Sequence, residues 1–286
     1  MSKNGLFVGL ITLDFIYQVL RYPHQNQKTV ATDYLITTGG PATNAAFAFQ
    51  SFDSNFKTTL LGVLGDHPMT QFIRTELDQQ KIHLIDLDPT RVEPPPVSSI
   101  ILTEATGDRS VVSINATRSQ ILSNIIPENI LAGIDIVLID GHQMLVGTEI
   151  AKQAKQNGIP VVMDGGSWKA ETEGLLPFVD YAICSANFYP PGCQTHEAVF
   201  DYLSLFDIPY IAITQGEKPI LYRHNHQIKT LEVPTVEAVD TLGAGDIFHG
   251  AFCYQILQKN WIEALTFSAN IATQACQQFG TRLSLD

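Results

Sequence analysis

The spacing of apolar positions changes along this chain, and the changes mark out its elements. Leu6-Phe7-Val8-Gly9-Leu10-Ile11 is a short unbroken apolar run, the pattern of a strand buried on both faces. Runs of the same kind lie within Thr58–Asp66, Ile134–Asp140, Val161–Met163, Tyr181–Cys184 and Tyr210–Gly216. Helices are predicted between them over residues 68–80 and 147–157, the second stopped by Gly158 and Pro160. Phe248, Ala251, Phe252 and Ile256 share one helical face. A last helix is expected from near Asn260, where Glu263 three residues on completes a capping box. Strands alternating with helices predict an α/β domain around a mainly parallel sheet.

Two stretches interrupt that alternation. Residues 15–36 alternate loosely and are polar, with several β-branched positions. Residues 97–115 read as a hairpin turning around residues 106–108, entered through the stiff run Pro94-Pro95-Pro96. Together they predict one small sheet standing off the main domain. Ile220–Tyr222 and Gln227–Glu232 form a second hairpin leading towards residue 240.

Composition narrows the class. The 286 residues suit one large α/β domain, and 45% hydrophobic residues supply an ample core. A net charge of −12 argues against nucleic acid as the main partner. Cys184, Cys193, Cys253 and Cys276 are scattered without metal-ligand spacing, which fits a reducing cytoplasm. The apolar run after Lys3 is too short for a secretory leader, and Asp14 follows it closely. No stretch is long enough to span a bilayer, so no membrane partner is expected.

The chemistry concentrates in Asp240-Thr241-Leu242-Gly243-Ala244-Gly245-Asp246. A glycine-rich turn opens a helix there, and free N–H groups with the helix dipole favour an anion. Asp246 in the first turn would stand beside that anion. Amides that stabilise phosphoryl oxygens and a carboxylate that takes a hydroxyl proton are what phosphoryl transfer requires. The same string also fits a tight turn with a capping carboxylate. Asp14, past the first strand, is a candidate for holding a substrate hydroxyl, because ligands of open α/β sheets sit beyond the carboxyl ends of strands; otherwise it is a solvated loop carboxylate. Asp140 and His142 end another strand and are read either as substrate contacts or as structural. Asp164 at a third strand tip is read as lying near a metal or as a turn cap.

The string Asp-Thr-x-Gly-Ala-Gly-Asp resembles the second signature of the PfkB (ribokinase-like) carbohydrate kinases. Gly39-Gly40-Pro41-Ala42-Thr43-Asn44 resembles the first. The resemblance covers nearly the whole chain. It implies a ribokinase-like fold: a three-layer α/β/α domain with a small β-sheet lid, here residues 15–36 and 97–115. It implies ATP-dependent phosphorylation of a sugar hydroxyl, with Asp246 as base and the amides of Gly243, Ala244 and Gly245 as anion hole. Asp14, Gly39, Gly40 and Asn44 would hold the sugar. Lid side chains such as Asn115 and Arg109 would set substrate choice. In some relatives the lids pair into homodimers.

For the nucleotide, Thr214 and Gly216 match the family's Thr-x-Gly, although Pro219 replaces a usual second glycine. Asn270 and Thr273 on the last helix would face the adenine. Asn187 matches the start of the family's Asn-x-x-Glu, but Pro190 stands where the glutamate that orders Mg2+ is expected. Either Glu197 or Asp164 substitutes, or the ATP phosphates hold the ion. Gly280 and Thr281 begin a tail that in some relatives helps bind a monovalent cation such as K+. Gly165-Gly166-Ser167-Trp168-Lys169 and the strand end at His142 look more like the ketohexokinase and sulfofructose kinase branch than like ribokinase itself. A nucleoside kinase and a non-catalytic sugar-binding protein remain the alternatives on this fold.

Overall fold

The computed structural model describes residues 2–104, 107–116, 118–122 and 125–283. Its main sheet is built from β1 (Asn4–Val8), β4 (Lys57–Gly62), β5 (Ile82–Asp86), β8 (Ile136–Ile139), β9 (Val161–Gly165), β10 (Tyr181–Ser185), β11 (Tyr210–Gln215), β12 (Lys218–His224) and β13 (Gln227–Leu231). The order is β13-β12-β11-β10-β9-β8-β1-β4-β5. All pairings from β11 to β5 are parallel, and the β12–β13 hairpin closes one edge antiparallel.

Successive residues of the central strands bury opposite faces, so helices cover both. Leu6, Val8, Val137 and Ile139 pack on one side against α3 (Met144–Gln156) and α5 (His196–Ser204). Phe7, Leu60 and Leu138 pack on the other against α1 (Pro41–Phe52), α2 (Thr70–Gln79), α6 (Ala244–Ile256) and α7 (Trp261–Ala275). A short helix, α4 (Thr172–Leu175), joins the first group. α3 starts before the expected residue 147, because Gly147 is tolerated inside it against Ile139. The predicted cap of α7 is present: Asn260 Oδ1 accepts from the Ile262 and Glu263 amides at 3.0 and 3.0 Å.

The interrupting stretches form a separate four-stranded sheet, ordered β3-β2-β6-β7. Its strands are β2 (Thr12–Val19), β3 (Asp33–Gly39), β6 (Val97–Thr103) and β7 (Arg109–Ser113). β6 and β7 pair antiparallel as the hairpin pattern required, whereas β2 and β6 run parallel. The hairpin turn expected around 106–108 includes Thr106, which lies outside the described residues. Pro96 enters the sheet directly, its carbonyl accepting from Leu13 N–H at 2.9 Å.

Among the described residues no helix is long and apolar enough to cross a membrane. The four cysteines are free thiols, and Cys253 is fully buried on α6.

Candidate active site

Parallel strands β8 to β11 end at one edge of the sheet, so Asp140, Asp164, Asn187 and Thr214 all line that edge. α6 is seated above it. Gly250 of α6 lies so close to α1 that a Cβ would stand 2.3 Å from Ala45 O. That approach brings Asn44 of α1 onto the first turn of α6, and Asn44 Nδ2 donates to Asp246 Oδ2 at 2.8 Å. Asp246 Oδ1 has no hydrogen-bond partner among the described residues.

The turn before α6 keeps the geometry of an anion cradle. Gly243 is left-handed at φ 70°, and no side chain caps the helix. The Ala244 amide is drawn towards Thr241 O at 3.4 Å, so it is less free than the motif implied. The Gly243 and Gly245 amides have no protein partner among the described residues, and nothing lies within 4 Å of where a Gly245 Cβ would stand.

His249 fixes this turn, a role the sequence did not disclose. One helical turn past Gly245, its Nδ1 lies 2.7 Å from Gly245 O and its Nε2 lies 3.2 Å from Ile183 O. Its Nδ1 is also 3.7 Å from Asp164 Oδ2, joining α6 to β9 and β10. Burial first, then the nearby Asp164 charge, push the Asp246 carboxyl up to about 7. The Asn44 hydrogen bond and the His249 and Arg109 charges oppose that rise. Burial likewise raises Asp164 above the usual carboxylate range.

Asp14 is buried at the start of the small sheet and accepts from Thr12 Oγ1 at 2.6 Å. Burial raises its pKa, against hydrogen bonds from Thr12 and Ser98. Gly39 leaves it room, since a Cβ there would fall 1.8 Å from Asp14 Oδ2. Gly40 follows at φ 103°. Asp14 thus lies against Gly39, and Gly40 leads into α1, whose Asn44 reaches Asp246.

The oxygens of Asp140 are bonded within the protein. Asp140 Oδ2 accepts from the Leu10 and Ala42 amides at 2.8 and 3.0 Å, and Oδ1 from His142 N–H at 2.9 Å. Burial alone would raise its pKa; His142 and those amides outweigh it and hold Asp140 below the usual carboxylate range. His142 packs its ring against Asp140, with Nδ1 3.2 Å from Oδ1. Asp140 ties Leu10, just past β1, to the start of α1 and so holds the Gly39-Gly40 turn in place. Asn115 sits on an exposed turn after β7, its N–H bonded to Ser113 Oγ.

The small sheet touches the glycine turn directly. Arg109 Nη1 donates to Thr241 O and Oγ1 at 2.9 and 2.8 Å, and Thr241 Oγ1 donates to Gly107 O at 3.1 Å. Sequence reasoning had placed Arg109 only among substrate-choosing side chains.

Thr214 is the penultimate residue of β11, its hydroxyl 3.4 Å from Cys184 O. Gly216 turns the chain into β12 at φ 65°. Asn187 is exposed after β10, its N–H donating to Ser185 Oγ at 3.2 Å. On α7 Asn270 is exposed and Thr273 is buried. Among the described residues no three His, Cys, Asp or Glu side chains are arranged to hold a metal ion. Glu197 is exposed in the first turn of α5.

A family model described as pfkB family carbohydrate kinase matches residues 3–286. A ribokinase from Lactococcus lactis is 22% identical, covering 99% of this chain and 93% of its own. An adenosine kinase from Schizosaccharomyces pombe is 22% identical, covering 87% of this chain and 82% of its own. The crystal structure of a ribokinase from Thermotoga maritima superposes with a TM-score of 0.80 at 18% identity, over 98% of this chain and 95% of that one.

Proposed function

The chain belongs to the pfkB family of carbohydrate kinases, and on that premise we propose that it transfers the terminal phosphoryl group of ATP to a hydroxyl of a sugar. The observation that carries the reading is the Asp246 carboxylate, with one oxygen held by Asn44 and the other open beside the uncapped turn of α6.

Asp246 removes the proton as the sugar oxygen attacks. A base with a pKa near the working pH suits that task, and Asp246 stands at about 7. The Gly243 and Gly245 amides, with Ala244 turned partly aside, face the transferring phosphoryl oxygens. Asp14, the Gly39-Gly40 turn and Asn44 take sugar hydroxyls, which need partners once buried. Asn187, Thr214, Gly216, Asn270 and Thr273 border the groove for ATP. Mg2+ would arrive on the ATP phosphates and neutralise their charge. Asp164 at the end of β9 or Glu197 could add a carboxylate to it, since Mg2+ is commonly held by one or two carboxylates beside the phosphates.

The small sheet acts as a lid that keeps water from the phosphoryl group, and Arg109 fastens it to the glycine turn. Its outer face exposes Tyr17, Tyr34 and Val112, a surface that a second copy would cover in a homodimer. Light scattering of the purified protein tests that.

The kinase reading is tested by ADP release with Mg-ATP and a panel of pentoses, hexoses, ketoses and adenosine, with and without K+. Release with a sugar supports it. Release with adenosine alone makes the protein a nucleoside kinase, and binding without release on any member makes it a non-catalytic binder.

A further inference from the structure

Arg282 follows the Gly280-Thr281 pair, and its guanidinium enters the cleft beside Asn44. Nε and Nη2 donate to Glu76 Oε1 at 3.2 and 3.0 Å. Nη2 also donates to Thr37 Oγ1 at 3.0 Å and Thr38 O at 2.6 Å. Nη1 donates to Asn44 Oδ1 at 3.1 Å and Thr281 Oγ1 at 2.9 Å. The plane lies over the Phe47 ring, 3.6 Å from its centroid. Glu76 Oε2 in turn accepts the Thr38 amide at 2.8 Å. All three guanidinium nitrogens are therefore committed to the protein, which removes Arg282 from the candidates for an anionic ligand.

What this network decides is the orientation of Asn44. The oxygen and nitrogen ends of a carboxamide have nearly the same shape, so packing alone does not distinguish them. A guanidinium has only donors, so the end of Asn44 that meets Arg282 must be oxygen. The amide end then points at Asp246. In the flipped orientation, N–H would face N–H at Arg282 and oxygen would face oxygen at Asp246.

We propose that Arg282 is a positioning residue for the base: by donating to Asn44 Oδ1 it locks the carboxamide with its N–H2 end on the Asp246 carboxylate. Glu76 balances the charge and holds Arg282 from α2, so two segments outside both signatures orient the base and the amide that holds it. The groups that face Asp246 are Asn44 from α1, Asp164 from β9, His249 from its own helix and Arg109 from β7. Loss of the Asn44 hydrogen bond leaves burial and Asp164 less opposed, so Asp246 should hold its proton more tightly.

The catalytic consequence rests on the kinase reading, but the test does not. In protein labelled with 13C at aspartate carboxyls, with Asp246→Asn assigning the signal, the Asp246 midpoint is followed against pH. Arg282→Gln should move it alkaline by about one pH unit relative to wild type. The acid limb of kcat/KM should move with it, so that activity lost at pH 7 returns near pH 9. A folded Arg282→Gln protein with the wild-type midpoint overturns the proposal. Should that variant not fold, Arg282→Met keeps an unbranched stem over Phe47 but offers Asn44 Oδ1 no donor. It should shift the midpoint the same way, and no shift there overturns the proposal equally. If wild type phosphorylates nothing in the panel, the kinase reading fails, and the carboxyl titration still decides Arg282.

Discussion

Asn44 Nδ2 and Asp246 Oδ2 stand 2.8 Å apart, although the two residues are 202 positions apart in the chain. One comes from the first signature and the other from the second. Their meeting depends on the close contact of α1 with α6 and makes one site of two motifs.

The base assignment predicts the effect of its removal. Asp246→Ala and Asp246→Asn should lower kcat by about 10²–10⁴-fold. Nucleotide affinity should stay nearly intact, since Thr214, Gly216 and Asn270, proposed to border ATP, lie on elements other than α6. Steady-state kinetics with calorimetric ATP titration checks this, and full activity in either variant ends the assignment.

The raised carboxyl predicts two opposite pH responses. The base must be ionised, so kcat/KM should rise with pH through about 7. Stability runs the other way. The folded value of about 7 lies above the ordinary 3.8, so the contribution of Asp246 is fully present below pH 3.8 and lost as pH rises through 7. Asp246→Asn cannot ionise. Its melting temperature should therefore gain on wild type between pH 4 and pH 8, and a constant difference across that range would contradict the buried, raised carboxyl.

Gly250 should be intolerant of any side chain. A Cβ there would lie 2.3 Å from Ala45 O and 2.7 Å from Ala48 Cβ, so the two helices must separate. Gly250→Ala should cost roughly 1–3 kcal/mol in urea unfolding, as overpacked cores do. It should also lower kcat, because the separation pulls Asn44 from Asp246. A stable, fully active variant would show that the helix contact is not what assembles the site.

Gly39 should separate sugar from nucleotide effects. A Cβ at Gly39 overlaps Asp14, so Gly39→Ala should displace that carboxylate. The KM for the sugar should rise roughly tenfold or more, the scale of one lost buried hydrogen bond. ATP affinity should not change. An unchanged sugar KM would remove Asp14 from the sugar pocket.

Much of this was legible in the sequence, for identifiable reasons. Strands buried on both faces leave unbroken apolar runs, as Leu6 to Ile11 does, and the period of a helix leaves Phe248, Ala251, Phe252 and Ile256. Residues that act through their own backbone, such as Gly39, Gly40 and Gly243, carry their role in local motifs. Boundaries shifted by a few residues, as at α3, where packing against Ile139 admits Gly147.

What the sequence determined by itself was the alternation of strands and helices, the detached small sheet, and a glycine turn opening a helix on Asp246. These follow from the periodicity and the local backbone chemistry of neighbouring residues. Only the tertiary structure decided the state of that carboxylate and its company: Asp164 and His249 beneath it, Arg109 reaching over from the small sheet, and Arg282 turning Asn44 towards it. It also withdrew Asp140 from solvent and spent its oxygens on Leu10, Ala42 and His142. These are contacts between residues far apart in the chain, and whether a side chain meets substrate or protein depends on what folding places within hydrogen-bond distance of it.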